Sequence, residues 1–97
     1  MVEQIATIQN RLGLHARPAA EFVKLAGKYR SEISVGKDGM WVNGKSIMGV
    51  MTLAAEFGSR VTVRAEGEDA GPAVEALVAC LSRDMVEDYL TEEELEA

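Results

Sequence analysis

One histidine, one cysteine, one tryptophan and two prolines are all that the 97 residues contain of those types. A single Cys80 excludes an internal disulfide, and its setting in EALVACLS is that of a small core residue in a reducing compartment. One His and one distant Cys cannot assemble a metal site, so no metal and no cofactor are expected. No apolar run approaches the ~18 residues of a membrane span, and MVEQIATIQN lacks a charged-then-apolar leader pattern. A cytoplasmic protein is the expectation. Excess positive charge is missing too. Ten Lys and Arg against 16 Asp and Glu give a net charge of -6, which argues against bulk attraction to nucleic acid or to an anionic membrane.

What is present reads as one domain, since a second would have too little chain for its own core. Val2–Gln9 reads as a first strand and Asn10 to Gly13 as a turn. From Ala16 the spacing Ala19, Phe22, Val23, Ala26, Tyr29 fits one face of a helix. Glu32–Val35 alternates with Ile33 and Val35 inward, Gly36-Lys37-Asp38-Gly39 signals a hairpin, and Met40–Val42 returns. Ser46 opens a short helix from Ile47 to about Ala55, with Gly58 ending that segment. Arg60–Glu66 alternates as a fourth strand. A loop from Gly67 to Pro72 leads into Val74, Leu77, Val78, Leu81 and Met85, an amphipathic helix. The order β-α-β-β-α-β-α predicts an α+β fold, a mostly antiparallel sheet with helices on a single face.

His15 stands in RLGLHARPAA with no Cys, Asp or Glu within five residues. It precedes a helix at the N-cap position, where Ser, Thr, Asp or Asn is the usual choice. Pro18 falls inside the first turn, where a missing N–H costs nothing. The backbone amides of Ala16 and Arg17, the positive end of the helix dipole and the Arg17 guanidinium together make an anion site. A neutral imidazole is also a nucleophile, and beside a phosphate-sized anion site it can accept a phosphoryl group. A Ser-His-Asp arrangement lacks a nucleophile elbow, and general-base chemistry in an enclosed pocket is the weaker alternative for so small a domain.

The stretch NGKSIMGVMTLAA, residues 43–55, carries two apolar strips, one of Ile47, Val50, Leu53 and Ala54, the other of Met48, Met51 and Ala55. A short helix on one face of a sheet cannot bury both, so a Met-rich contact surface is expected. Ser46 is a good N-cap. A phosphoryl group there would sit at a helix N-terminus, adding charge without melting the helix, with Lys45 partly offsetting it.

GLHARPAA at 13–20, NGKSIMGVMTL at 43–53 and AEGEDAGPAVEAL at 65–77 resemble, in order, the active-site signature, the regulatory-serine signature and the last loop and helix of the HPr family. These are the histidine-containing phosphocarriers of the bacterial phosphoenolpyruvate-dependent phosphotransferase system, and the resemblance covers about residues 3–87. It implies an open-faced β-sandwich with sheet order 1-4-2-3 and three helices on one face. It further implies a carrier rather than an enzyme. His15 would take phosphate on Nδ1 from phosphorylated Enzyme I and pass it to Enzyme IIA proteins or domains, with Arg17 helping to hold and release it. KSIMGVM implies modification of Ser46 by HPr kinase/phosphorylase, which slows transfer through His15 and directs the protein toward regulatory partners, a transcription regulator among them. Ile47, Met48 and Met51 match partner-docking positions. The alternative is a regulatory binding module of the same family, in a nitrogen-branch or carbon-regulation role, working mainly through Ser46 and the Met-rich surface. A monomer is expected. Residues 1–90 form the domain, with helical spacing persisting through Met85 to Tyr89, and 91–97 form an acidic tail beyond the family's usual end.

Overall fold

The computed structural model describes residues 1–83. The extension through Met85 to Tyr89, the 1–90 boundary and the acidic 91–97 segment lie outside the described residues. Strand β1 spans Val2–Thr7, helix α1 Ala16–Ala26, β2 Glu32–Lys37, β3 Met40–Asn43, helix α2 Ile47–Thr52, β4 Arg60–Glu66 and helix α3 Ala70–Leu81. The four strands form one sheet in the order β1-β4-β2-β3, and every neighbouring pair is antiparallel. The order and the seven elements are those expected from the sequence.

Alternation sets the two faces of the sheet. In β4, Val61, Val63 and Ala65 are buried while Arg60 and Glu66 are exposed. In β2, Ile33 and Val35 point inward, and β1 adds Ala6. Helix α1 covers this face with Pro18, Ala19, Phe22 and Ala26, and α3 with Ala70, Ala73, Val74, Leu77 and Leu81. Phe22 is fully buried at the centre, where truncation to Ala costs about 3–5 kcal/mol. Helix α2 contributes Val50 and packs against α1.

Among the described residues, no helix covers the other face. Ile5 lies on it, exposed, and Arg64 reaches across it. The Arg64 guanidinium stacks 3.9 Å from the Trp41 ring centre and bonds the Glu3 carboxylate at 3.0 Å. Gly36 pairs with Trp41 in the ladder, and a Cβ on Gly36 would sit 2.8 Å from the indole. This explains a glycine that the sequence suggests for the hairpin turn. The turn itself is Asp38-Gly39 alone, both with positive φ, and β2 runs on through Gly36 and Lys37 to pair Lys37 with Met40. Such a two-residue loop with both φ positive matches the right-handed strand twist.

Helix α2 is also shorter than its apolar spacing suggests. It ends at Thr52, and Ala54 adopts φ 49°. Among the described residues, no helix is long and apolar enough to cross a membrane.

Candidate functional site

The loop from β1 to α1 is fastened from within. Asn10 is buried, and its Nδ2 donates to the Gly13 carbonyl at 2.9 Å while its own carbonyl accepts the Gly13 amide at 2.9 Å. Gly13 has φ +74°, and a Cβ there would lie 2.8 Å from the Ala55 carbonyl oxygen. That same oxygen accepts the Leu14 amide at 2.8 Å. Leu14 is buried, so the residue immediately before His15 is pinned by packing and by a bond to a distant segment.

His15 is the N-cap of α1, in extended backbone at φ -87° and ψ -169°, and its side chain does not cap the helix. Its carbonyl accepts the Ala19 amide at 3.0 Å and so starts the helical ladder. Pro18 is buried in the first turn, while Ala16 and Arg17 are exposed on its outer side. The half-buried imidazole therefore shares the helix start with Ala16 and Arg17, the residues whose amides the sequence nominates for an anion. No cluster of metal-ligating side chains occurs among the described residues.

An open depression of about 440 Å³ adjoins His15, bordered by Arg11, Leu12, Leu14 and the 54–57 segment. Two of these residues escape sequence reading. Arg11 adds a second guanidinium to that end of the molecule. Glu56 brings a carboxylate to the rim, so a site without acids in sequence has one nearby in space. Leu12 and Phe57 are exposed apolar side chains on the same rim.

Ser46 is the N-cap of α2, and its Oγ accepts the Gly49 amide at 3.1 Å, a bond of the kind worth about 1 kcal/mol. Lys45 turns away from it, with Nζ donating to the Tyr29 carbonyl at 2.8 Å. The two apolar strips expected on α2 are regrouped. Val50, Leu53 and Ala55 are buried, whereas Ile47, Met48, Met51 and Ala54 are exposed, Met48 by 77%. The cause is the early helix end. With Ala54 left-handed, Ala55 swings inward and presents its carbonyl to Leu14.

At the opposite end of α1, Asp69 performs a clamp that its place in a loop conceals. Its carboxylate accepts the Ser31 hydroxyl, the Arg30 amide at 2.8 Å and the Ser31 amide at 2.9 Å. The Ser31 hydroxyl, then the Arg30 amide, hold this carboxyl at about 2. Cys80 is half-buried against the core, and burial pushes its thiol up.

This architecture defines a class of small α+β protein, the open-faced sandwich in which one antiparallel sheet carries all its helices on one side. Residues 2–83 match the family described as PTS HPr component phosphorylation site. The HPr-like protein Crh of Halalkalibacterium halodurans is 48% identical over 84 residues, covering 87% of this chain and 100% of that protein. The phosphocarrier protein HPr of Cupriavidus necator is 45% identical over 82 residues, 84% of this chain and 92% of that one. The crystal structure of HPr-C-His from Thermoanaerobacter tengcongensis superposes with a TM-score of 0.80 at 49% identity, over 84% of this chain and 91% of the other. The chain belongs to the HPr family and is an HPr-type phosphocarrier. The crystal structure of Crh from Bacillus subtilis, 45% identical with a TM-score of 0.70 over 88% of this chain and 98% of the other, is a dimer with a swapped domain, so members of this fold are not uniformly monomeric.

Proposed function

We propose that His15 accepts a phosphoryl group from phosphorylated Enzyme I and delivers it to Enzyme IIA proteins or domains in the cytoplasm. The observation that carries this reading is the placement of His15 at the start of α1, in a loop pinned through Leu14 to Ala55. In the transfer a ring nitrogen of neutral His15 attacks phosphorus as the bond to the donor's phosphorylated side chain breaks, and the donor keeps the electron pair. The amides of Ala16 and Arg17, the α1 dipole and the Arg17 guanidinium favour the charge spread over the phosphoryl oxygens. The second transfer runs the same chemistry in reverse, so the site holds phosphate without trapping it. Exposed Ile47, Met48 and Met51 supply a pliant docking surface for partners of different shape.

Ser46 is the regulatory site in this proposal. A phosphoryl group on its Oγ, placed by HPr kinase/phosphorylase, retains an acceptor for the Gly49 amide and adds ≈ -1.5 to -2 charge beside the docking surface. The helix persists while acidic partners are repelled and partners with basic surfaces, such as a transcription regulator, are attracted. The relatives include both HPr and Crh proteins, which keeps a second reading in view, a regulatory module acting mainly through Ser46.

Incubation with Enzyme I and phosphoenolpyruvate tests the carrier reading. Acid-labile label should appear on the wild type and be absent from His15→Ala. An unlabelled wild type, with a Ser46→Ala variant that alone loses regulation in cells, would favour the regulatory module.

A further inference from the structure

No acidic residue lies within five positions of His15 in the sequence, and the fold brings one back. Glu56 and His15 border the same open depression of about 440 Å³. The backbone that carries Glu56 is held on both sides. On one, the Glu56 carbonyl accepts the Ser59 amide at 3.0 Å and the Ser59 hydroxyl at 2.6 Å. On the other, the Ala55 carbonyl holds the Leu14 amide at 2.8 Å, and the Cβ that Gly13 lacks would meet the Glu56 Cα at 3.3 Å. Glu56 is exposed, yet its place is fixed by the same junction that fixes His15.

The ion pairs among the described residues join Lys37 to Asp38 and Arg64 to Glu3 and leave Glu56 out. Its negative charge is therefore felt by an anion held at the start of α1. Arg11 borders the depression as well, but its charge is common to the wild type and to any Glu56 variant and cancels in a comparison of the two. A volume of about 440 Å³ corresponds to a width of roughly 8 Å, close to one screening length at physiological salt and well inside the ~30 Å of 0.01 M. A phosphoryl group carries about -1.5 to -2 charge. Across that width, in a dielectric between protein-surface and bulk values, a unit negative charge disfavours it by about three- to tenfold in an equilibrium constant at low salt.

We propose that Glu56 sets how tightly the phosphoryl group is held: its carboxylate repels phosphate on His15, opposing loading and favouring delivery. This deepens the carrier reading of His15 and rests on it for the consequence, whereas the repulsion needs only a phosphoryl group on the ring. The dipole and first amides of a helix hold phosphate well, and a carrier that held it too well would stop at the first transfer. A carboxylate fixed on the rim offsets part of that hold. Glu56→Gln keeps the shape of the side chain and removes the charge. It should therefore raise the share of phosphate resident on His15 at low ionic strength, and the gain should vanish at about 1 M, where the screening length is ~3 Å.

The test compares full-length wild type with Glu56→Gln and with Glu66→Gln, which removes an exposed carboxylate at the far end of β4 and changes net charge equally. With Enzyme I and limiting phosphoenolpyruvate at about 10 mM ionic strength, the equilibrium ratio of labelled carrier to labelled Enzyme I should rise about three- to tenfold in Glu56→Gln. It should stay at the wild-type value in Glu66→Gln. Phosphoramidate, a small donor with no protein surface, separates charge from docking. A ring nitrogen of His15 attacks its phosphorus as ammonia leaves with the electron pair of the P–N bond, and this labelling should be about two- to threefold faster in Glu56→Gln. Equal ratios in all three chains overturn the proposal, as does an equal rise in Glu66→Gln, which assigns the effect to net charge. A rise with Enzyme I but none with phosphoramidate overturns it in favour of a docking contact. Glu56→Asp, which retains the charge, should stay near wild type, and a change there as large as in Glu56→Gln assigns the effect to shape and also overturns it. Label from phosphoramidate but none from Enzyme I refutes the carrier reading instead, and leaves the phosphoramidate rates to decide the role of Glu56. Label from neither donor refutes both.

Discussion

Gly13 and Gly58 are both left-handed, at φ +74° and +84°, yet only Gly13 is crowded. A Cβ on Gly13 would come within 2.8 Å of the Ala55 carbonyl, whereas one on Gly58 would meet nothing within 4 Å. Replacing each by Ala therefore separates conformation from contact. Gly58→Ala bears the left-handed penalty of roughly 1–2 kcal/mol. About 0.4–1 kcal/mol of it is offset because Ala restricts the unfolded chain, leaving a loss near 1 kcal/mol. Gly13→Ala bears the same penalty and also displaces a backbone oxygen that holds the Leu14 amide at 2.8 Å. Overpacking of this kind adds about 1–3 kcal/mol, for a total near 3 kcal/mol. At ~4–8 °C per kcal/mol for a domain of this size, Tm should fall by roughly 4–8 °C for Gly58→Ala and about 12–24 °C for Gly13→Ala. Urea titrations followed by circular dichroism, with m unchanged, measure both. Loading by Enzyme I should slow in Gly13→Ala and be unaffected in Gly58→Ala. Equal stability losses at the two positions would refute the role assigned to the Ala55 carbonyl in placing His15.

Ala54 occupies a left-handed helix terminus, φ 49°, where glycine is the usual residue. Ala54→Gly should raise stability by about 0.5–1 kcal/mol, read as a higher urea midpoint, and an unchanged or lower midpoint would contradict the strain. Asp69 has a folded-state pKa lowered from 3.8 to about 2. Its clamp therefore contributes fully above pH ~4 and is lost as pH falls from there toward 2. Acid unfolding of the wild type should show this decline, Asp69→Asn should lack it, and identical slopes for the two chains would assign the decline to other groups.

The order of elements along the chain and the single helical face were legible because RVTVRAE and EISV alternate cleanly and the spacing after Ala16 and Val74 fits a helix, whereas the sheet order β1-β4-β2-β3 was implied only by the resemblance to the HPr family. His15 was legible for a related reason: a histidine at an N-cap, followed by Arg and Pro, departs from local preference. Ser46 followed the preference and was found as a cap. What local spacing does not carry is contact between distant segments. Nothing near Asp69 points to Ser31, 38 residues away. The end of α2 was misplaced because Ala is a good helix former, and only the Leu14 amide waiting for the Ala55 carbonyl accounts for a left-handed Ala54. Glu56 and Arg11 reach the site through that same junction.

The face of the sheet opposite the described helices has a practical side. Trp41, the single tryptophan of the chain, lies there under Arg64, on the side away from the helices that begin at His15 and Ser46. Its fluorescence reads the integrity of the ladder and the departure of a guanidinium from the indole, while a partner docked on the helical side leaves it undisturbed. Intrinsic emission is thus a clean optical gauge of unfolding and a poor one of complex formation. A dye attached near His15 and the native indole would report two independent events from one sample.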